Sequence, residues 1–376
     1  MRIGIDARLW NQTGVGRYIR NLVNGIGEIE QKKESGNKYV IFLQKKEFDE
    51  VSFKSSSLEK CLADIPWHTI SEQLRFPKLL NRQNLDLVHF PYFSVPVFYK
   101  KPSVITIHDL ILNDYSTGRA STLPYPIYQI KKIGYNFVIS QAVSNAIKII
   151  VPSRAVESDL NRHFQSIKDK IMVTYEGVFE TLPFDKKANS SLLPNKPYFL
   201  RVGNMYPHKN VEMLINSFTL FIHDKKNENI LLLLAGKNDF FRTRIERSIP
   251  EEVKDKILFI DNPTDASLLE LYKNSLGVIV PSLIEGFSLT ALEALSQGAV
   301  VLASDIPVHR EICGKAAIFA DPKNVLDILE KMNIIVDMDK RTRASYRELG
   351  LKKVKEFSWE RMVSQTIKIY ESCIGI

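Results

Sequence analysis

Gly277-Val-Ile-Val-Pro-Ser-Leu-Ile-Glu-Gly-Phe-Ser-Leu-Thr-Ala-Leu-Glu-Ala-Leu-Ser-Gln-Gly298 passes from one kind of order to another within 22 residues. Gly277–Val280 is a short apolar run and predicts a buried strand. From Ser288 the apolar residues Leu289, Leu292 and Leu295 fall on one helical face. Gly298 ends that helix, and Val300-Val-Leu-Ala-Ser304 predicts the next strand. Two acids stand out. Glu285 lies in the loop before the helix, and Glu293 lies inside it between Ala291-Leu292 and Ala294-Leu295. A helix this apolar is expected to be covered on most sides, and a buried carboxylate is costly without a hydrogen-bond donor. The free N–H groups of Ser288, Leu289 and Thr290 open the helix, an end that carries about half a positive charge and suits an anion, commonly phosphate. Read blandly, Ser288 caps a core helix, Glu285 is solvated, and Glu293 pairs with a basic side chain. Read functionally, the segment offers a phosphate seat with one acid beside it and one a turn deeper that can accept hydroxyl protons. A nucleotide sugar has the matching parts: diphosphate, hexose and ribose.

The pattern E-G-F-S-L-T-A-L-E-A-L-S-Q-G, with its two glutamates eight positions apart, resembles the donor-binding signature of the retaining glycosyltransferases of family 4. That resemblance implies the GT-B architecture: an α/β protein of two Rossmann-like, doubly wound parallel-sheet domains facing across a cleft.

The chain has 376 residues, enough for two ordinary domains. With 44% hydrophobic and 25% charged residues it has the composition of a soluble globular protein. No apolar run approaches the roughly 20 residues of a spanning helix. Met1-Arg-Ile-Gly-Ile-Asp-Ala7 resembles a first core strand rather than a signal peptide. Cys61, Cys313 and Cys373 lack zinc or redox spacing, which fits a reducing cytoplasm. The formal charge of +8 is compatible with nucleic acid, an anionic bilayer or a phosphorylated substrate. No nucleic-acid-binding motif is present, so no nucleic-acid partner is expected.

In the first half, strand-like runs alternate with helical ones, the signature of a parallel sheet. Strands are expected near Arg2–Ile5, Tyr39–Leu43, Leu87–Phe90, Ser103–His108, Ala146–Val151 and Ile171–Tyr175. Such sheets bind ligands outside the carboxyl ends of their strands. At the first of these ends Gly14 and Gly16 precede a helix from about Arg17. The third glycine of the dinucleotide fingerprint is absent, since position 19 is Ile, and no acid ends the second strand, so a nicotinamide enzyme is rejected. At another end stands Thr106-Ile-His-Asp109, and His89 ends an earlier strand as a structural or cleft-lining residue. Ser153 is expected to cap a helix over Arg154–Phe164. Tyr115 to Ser144, with Tyr125, Tyr128, Lys131, Lys132, Tyr135 and Phe137, reads either as a helix on an anionic membrane surface or as core packing with a solvated face.

Residues 181–197 are rich in Pro, Ser, Asn and Lys and predict a linker between a domain of residues 1–180 and one of residues 198–355. Strands follow at Tyr198–Val202, Ile230–Ala235, Ile257–Ile260, Gly277–Val280, Val300–Ala303 and Ala317–Phe319. After the first comes Val202-Gly-Asn-Met-Tyr-Pro-His-Lys-Asn210, a glycine-bearing turn with a lysine suited to diphosphate, then a helix over Val211–Phe221. This segment is similar to the family's V-G-x-x-x-P-R-K-N, with His208 in place of the usual Arg and Asn204 where some relatives use Arg. His208 is expected to be partly charged near neutral pH. Residues 356–376 form an amphipathic helix, either capping the second domain or, as the resemblance implies, crossing back to the first.

The resemblance further implies roles. Lys209, with the N–H groups of Ser288, Leu289 and Thr290, would hold the departing diphosphate; Gly203, Asn204, His208, Gly286 and Phe287 would complete the donor loops. Glu293 would hold the ribose hydroxyls, and Glu285 the sugar hydroxyls. Gly14 and Gly16 would border the donor phosphates, His108 would hydrogen-bond a sugar hydroxyl, and Asp109 would orient it or line the acceptor side. His108, Asp109, Glu285 and Lys209 are thus the catalytic candidates, substitution occurs at the front face of the sugar, and neither a metal nor a cofactor is required. The partners are a nucleotide sugar and a glycan or lipid-linked acceptor. GDP-mannose is the first expectation for the donor, ahead of UDP- and dTDP-sugars. The location is the cytoplasm, with peripheral contact on the inner face of the cell membrane. An epimerase of the same fold and a non-catalytic sugar-nucleotide binder remain as alternatives.

Overall fold

Two series of apolar strands each close into their own parallel sheet. The computed structural model describes residues 1–33, 35–114, 125–165, 167–178 and 193–375. The first sheet contains β1 (Arg2–Asp6), β2 (Lys38–Leu43), β3 (Leu58–Leu62), β4 (Leu87–Phe90), β5 (Ser103–Thr106), β6 (Lys148–Val151) and β7 (Ile171–Val173), in the order β3-β2-β1-β4-β5-β6-β7. The second contains β8 (Tyr198–Val202), β9 (Leu231–Gly236), β10 (Ile257–Asp261), β11 (Gly277–Val280), β12 (Val301–Ser304) and β13 (Ala317–Ala320), in the order β10-β9-β8-β11-β12-β13. Every strand pair among the described residues is parallel. Parallel strands covered on both faces read as continuous apolar runs, and Leu231-Leu-Leu-Leu-Ala235 is buried throughout.

The chain divides into two compact units. One comprises Met1–Leu112, Leu123–Gly177 and Ser358–Ile376; the other contains Val178–Phe357. The last helix, Trp359–Ile374, lies in the first unit against the helix Gly14–Lys33. A side chain at Gly25 would strike Val363, so the two helices approach closely. Residues 115–124 and 179–192, part of the suggested membrane segment and of the suggested linker, lie outside the described residues.

Three local readings are corrected. β3 was not expected: Leu58-Glu-Lys-Cys-Leu62 is an edge strand with only Leu58 buried, so no apolar run marks it. The first helix begins at Gly14, not near Arg17. The strand expected to reach His108 ends at Thr106.

In each sheet the strand order reverses once beside the first strand, between β1 and β4 and between β8 and β11. Loops leaving the carboxyl ends of strands at such a point form the ligand crevice of doubly wound sheets.

Candidate active site

In the second unit the two loops at that point are Gly203–Asn210, after β8, and Pro281–Ser288, after β11. They are tied together. Leu283 N donates to the His208 carbonyl at 2.8 Å, and the Asn210 amide donates to the carbonyls of Pro281 (3.0 Å) and Pro322 (2.7 Å). Asn210 holds φ 58°, a left-handed conformation that asparagine tolerates. Across this frame Lys209 Nζ donates to Glu285 Oε1 at 2.7 Å, and Ser282 Oγ donates to the same oxygen at 2.7 Å. Burial pushes the Glu285 carboxyl up. The charges of Lys209 and His309 and the bonds from Lys209 and Ser282 outweigh it and bring the group down to about 2. His309 is itself driven towards its neutral form by burial, so Lys209 is the cation that keeps Glu285 ionised.

His208 is a correction. Burial first, then the charge of Lys209, lowers it to about 4, so it is neutral at pH 7 rather than partly charged. Its ring stacks on Tyr206 at 5.9 Å.

Around these loops the buried atoms Asn204 Oδ1, Ser288 Oγ and His309 Nε2 have no hydrogen-bond partner among the described residues. Most buried polar atoms in folded proteins are bonded. Ser288 also holds φ 76°, ψ 58°, and makes no capping bond at the start of the helix Leu289–Ser296. A non-glycine residue in that region costs about 1–3 kcal/mol. The bland reading, a serine capping a core helix, is therefore excluded. His309 Nδ1 donates to the Ser304 carbonyl at 2.9 Å, which leaves Nε2 as the lone-pair side.

Glu293 is half-buried, not sunk among the leucines: Ala291, Leu292, Ala294 and Leu295 are the buried residues of its helix. The helix is covered on its other faces and leaves the Glu293 side partly open. The carboxylate accepts the Tyr272 hydroxyl at 3.0 Å. Gly286 and Phe287 are buried, and the Phe287 ring packs edge-on to Phe357 at 5.7 Å. Phe287 is thus an anchor for the loop. Leu289 and Thr290 are half-buried. Gly203 holds φ 119° and needs to be glycine.

The first unit carries a second cluster. His108 Nδ1 lies 3.1 Å from Glu176 Oε1, and its Nε2 lies 3.1 Å from the Pro91 carbonyl. Both ring nitrogens are thus occupied by partners within the first unit. Neither can meet a sugar hydroxyl without giving up one of these bonds. Asp109 accepts from Ile111 N at 3.0 Å, a local turn contact, and the carboxylate that meets the His108 ring is Glu176. Beneath them, Tyr18 sets its ring edge-on to His108 at 4.8 Å and its hydroxyl 3.2 Å from Thr106 Oγ1. His89 is fully buried, with ring nitrogens bonded to Thr106 (2.8 Å) and to Tyr370 of the last helix (2.6 Å), so it is structural. Gly16 is buried, and a side chain there would meet the Trp10 carbonyl at 2.5 Å; Gly14 is exposed with open space around it.

Arg201, Asn210, Tyr272, Ser282, His309 and Glu176 were not singled out by sequence. The signals were faint: a charged residue inside β8, and an acid just past the end of β7 before Gly177.

Two such doubly wound parallel sheets define the GT-B fold. A sucrose-phosphate synthase from Thermosynechococcus elongatus aligns with a TM-score of 0.78 over 100% of this chain and 99% of that one at 19% identity. WaaG, a glycosyltransferase involved in lipopolysaccharide biosynthesis, aligns at 0.72 over 98% and 99% at 14% identity. Residues 13–180 match Glycosyltransferase Family 4 and residues 184–353 match Glycosyl transferases group 1; the chain belongs to this family and is a glycosyltransferase. The O-antigen chain mannosyltransferase B of Escherichia coli is 27% identical over 384 residues, covering 96% of each chain. The O-antigen chain mannosyltransferase RfbU of Salmonella typhimurium is 26% identical over 261 residues, covering 69% of this chain and 68% of that one.

Proposed function

We propose that the chain is a retaining hexosyltransferase that moves mannose from GDP-mannose to a sugar hydroxyl of a glycan or polyprenyl-linked acceptor during cell-surface polysaccharide synthesis. The observation that carries this reading is the crevice between β8 and β11, where Lys209 and Glu285 face each other beside the unpartnered atoms of Asn204, Ser288 and His309. The mannosyltransferase relatives support the sugar. Lys209 and the N–H groups opening the helix Leu289–Ser296 would stabilise the departing diphosphate, where charge builds in the transition state. Glu293 would take the ribose hydroxyls beside Tyr272, and Glu285 the sugar hydroxyls. The acceptor oxygen bonds the anomeric carbon from the face the diphosphate leaves, and the leaving phosphate takes the acceptor's proton. His108 enters only if a hydroxyl replaces the Pro91 carbonyl.

Calorimetric titration of GDP, UDP and dTDP tests the seat. GDP is expected to bind best, and Lys209→Ala and Glu293→Ala each to weaken it roughly tenfold or more, about 1.4 kcal/mol. Unchanged affinity in both variants would overturn the assigned roles. Turnover is expected to persist in excess chelator, and a chelated enzyme that stops would contradict metal independence. Release of free mannose epimer without an acceptor would instead favour the epimerase reading.

No helix among the described residues is long and apolar enough to cross a membrane. The helix Tyr125–Asn145 nevertheless exposes Ile127, Ile130, Ile133 and Phe137 alongside Lys131, while Tyr135 packs on Phe93. We read this face as the peripheral contact with an anionic bilayer. Vesicles containing phosphatidylglycerol are expected to sediment the protein, and Ile130→Glu/Phe137→Glu to lower the bound fraction roughly tenfold. Equal binding by parent and variant would remove the contact from this face.

A further inference from the structure

Among the described residues two arginines, Arg8 and Arg201, are deeply buried, and they are treated differently. Arg8 is 2% exposed, and Asp6 and Glu72 each approach one of its nitrogens at 2.7 Å. Arg201 is 3% exposed, in the middle of β8, and makes no ion pair among the described residues. Its guanidinium turns back beneath its own strand end and donates to two carbonyls, Gly203 O at 2.5 Å and Asn204 O. A guanidinium stays charged in proteins, and a buried charge without a counter-charge is strongly disfavoured. Burial pulls the Arg201 group down to about 10, with Glu285 and Tyr272 the neighbours whose charges act the other way.

The placement does two things. Two carbonyls drawn onto one planar fork fix the turn at Gly203, whose φ of 119° the rest of the loop depends on. The cation also lies under the loop that carries Asn204, His208 and Lys209. At pH 7 Lys209 is matched by Glu285, and His208 is neutral. Glu293 stands eight positions past Glu285 and is bonded to Tyr272. Unlike Lys209, Arg201 makes no ion pair among the described residues, and its guanidinium is held by the two loop carbonyls.

We propose that Arg201 is a positioning and specificity-determining residue of the donor seat: it pre-forms the Gly203–Asn204 turn and supplies a positive charge, held by carbonyls and not by a carboxylate, that selects a diphosphate over a monophosphate. This rests on the donor reading above. A merely structural arginine would affect melting temperature but not the preference between two anions on the same loops.

The test is titration of GDP, UDP and dTDP against GMP, UMP and dTMP. Arg201→Gln keeps two donors for the carbonyls and removes the charge. It is expected to lose roughly tenfold in affinity for the diphosphate and less than about threefold for its monophosphate. Arg201→Lys keeps the charge, loses the fork, and is expected to hold the diphosphate-to-monophosphate ratio within about threefold of the parent. A folded Arg201→Gln with an unchanged ratio overturns the proposal. Should Arg201→Gln fail to fold, an Arg201→Lys protein that binds the two anions alike overturns it instead. Lys209→Ala in the same assay separates the readings. Loss of preference there but not at Arg201 sinks this inference alone, and no loss at either, or no nucleotide bound by the parent, sinks the donor reading as well.

Discussion

Lys209→Met is expected to lower turnover by about 10²- to 10³-fold, the usual cost of removing one preorganised donor from developing negative charge. The same variant is expected to lose stability. Lys209 Nζ sits 2.7 Å from Glu285 Oε1, and both side chains are largely buried. Removing one partner of a buried pair leaves an uncompensated charge and costs about 3–5 kcal/mol. The two effects are separable. Lys209→Met/Glu285→Gln deletes the stranded charge, so its melting temperature should return towards the parent, while turnover stays low. The pH dependence has a definite sign. In the parent, Glu285 titrates at about 2 against an ordinary 4.5. A depressed carboxyl contributes stability that is fully present above its unfolded value and is lost as pH falls through the folded one. The contribution therefore disappears between about pH 4.5 and pH 2, and at most amounts to about 3 kcal/mol. Without Lys209, burial dominates and the carboxyl rises, so the acid limb of a melting-temperature profile moves upward. A single variant with parental turnover, or an acid limb that does not move, would show that the pair serves neither catalysis nor the seat.

The pair also shows what a sequence discloses and what it hides. Lys209 and Glu285 were both legible, because each stands in a loop whose flanking strand is an apolar run. β8 and β11 were found to the residue for the same reason: strands buried on both faces cannot alternate. What the one-dimensional pattern did not contain was that these two residues would meet. The same holds for His108. Its neighbour in sequence, Asp109, turns to the Ile111 N–H, and the carboxylate that holds the ring comes from Glu176, 68 positions on. Contacts set by strand order are invisible to local spacing. Arg201 was hidden differently, as a charged residue in a strand whose burial and carbonyl partners exist only once the chain has turned at Gly203. Glu293 was read correctly as unusual and incorrectly as buried, because its helix is covered on its other faces and open on that one. β3 escaped because an edge strand needs only one buried side chain.

Gly236→Ala is expected to abolish most nucleotide binding while leaving the second sheet formed. Gly236 ends β9, beside the turn that leaves β8. A Cβ placed on it would sit well inside the van der Waals shell of the Gly203 carbonyl oxygen, with the carbonyl carbon at 3.1 Å. The obstacle is backbone, so no side chain can swing aside. That oxygen is also one of the two acceptors that hold the Arg201 guanidinium. Moving it must rotate a peptide already at φ 119° and loosen the clamp under Asn204. Overpacking of this kind costs about 1–3 kcal/mol, well short of the total stability of a typical domain. The strain is discharged at the loop, because β9 is anchored along its whole length by β8 and β10. Gly134→Ala is the control: a Cβ there meets nothing within 4 Å, so affinity for GDP should stay near the parental value and the melting temperature should not fall. Calorimetry with GDP and a melting curve on the two variants decide it. If Gly236→Ala binds GDP like the parent, the Gly203 carbonyl has room to move without cost, and the turn is not the rigid floor of the donor seat.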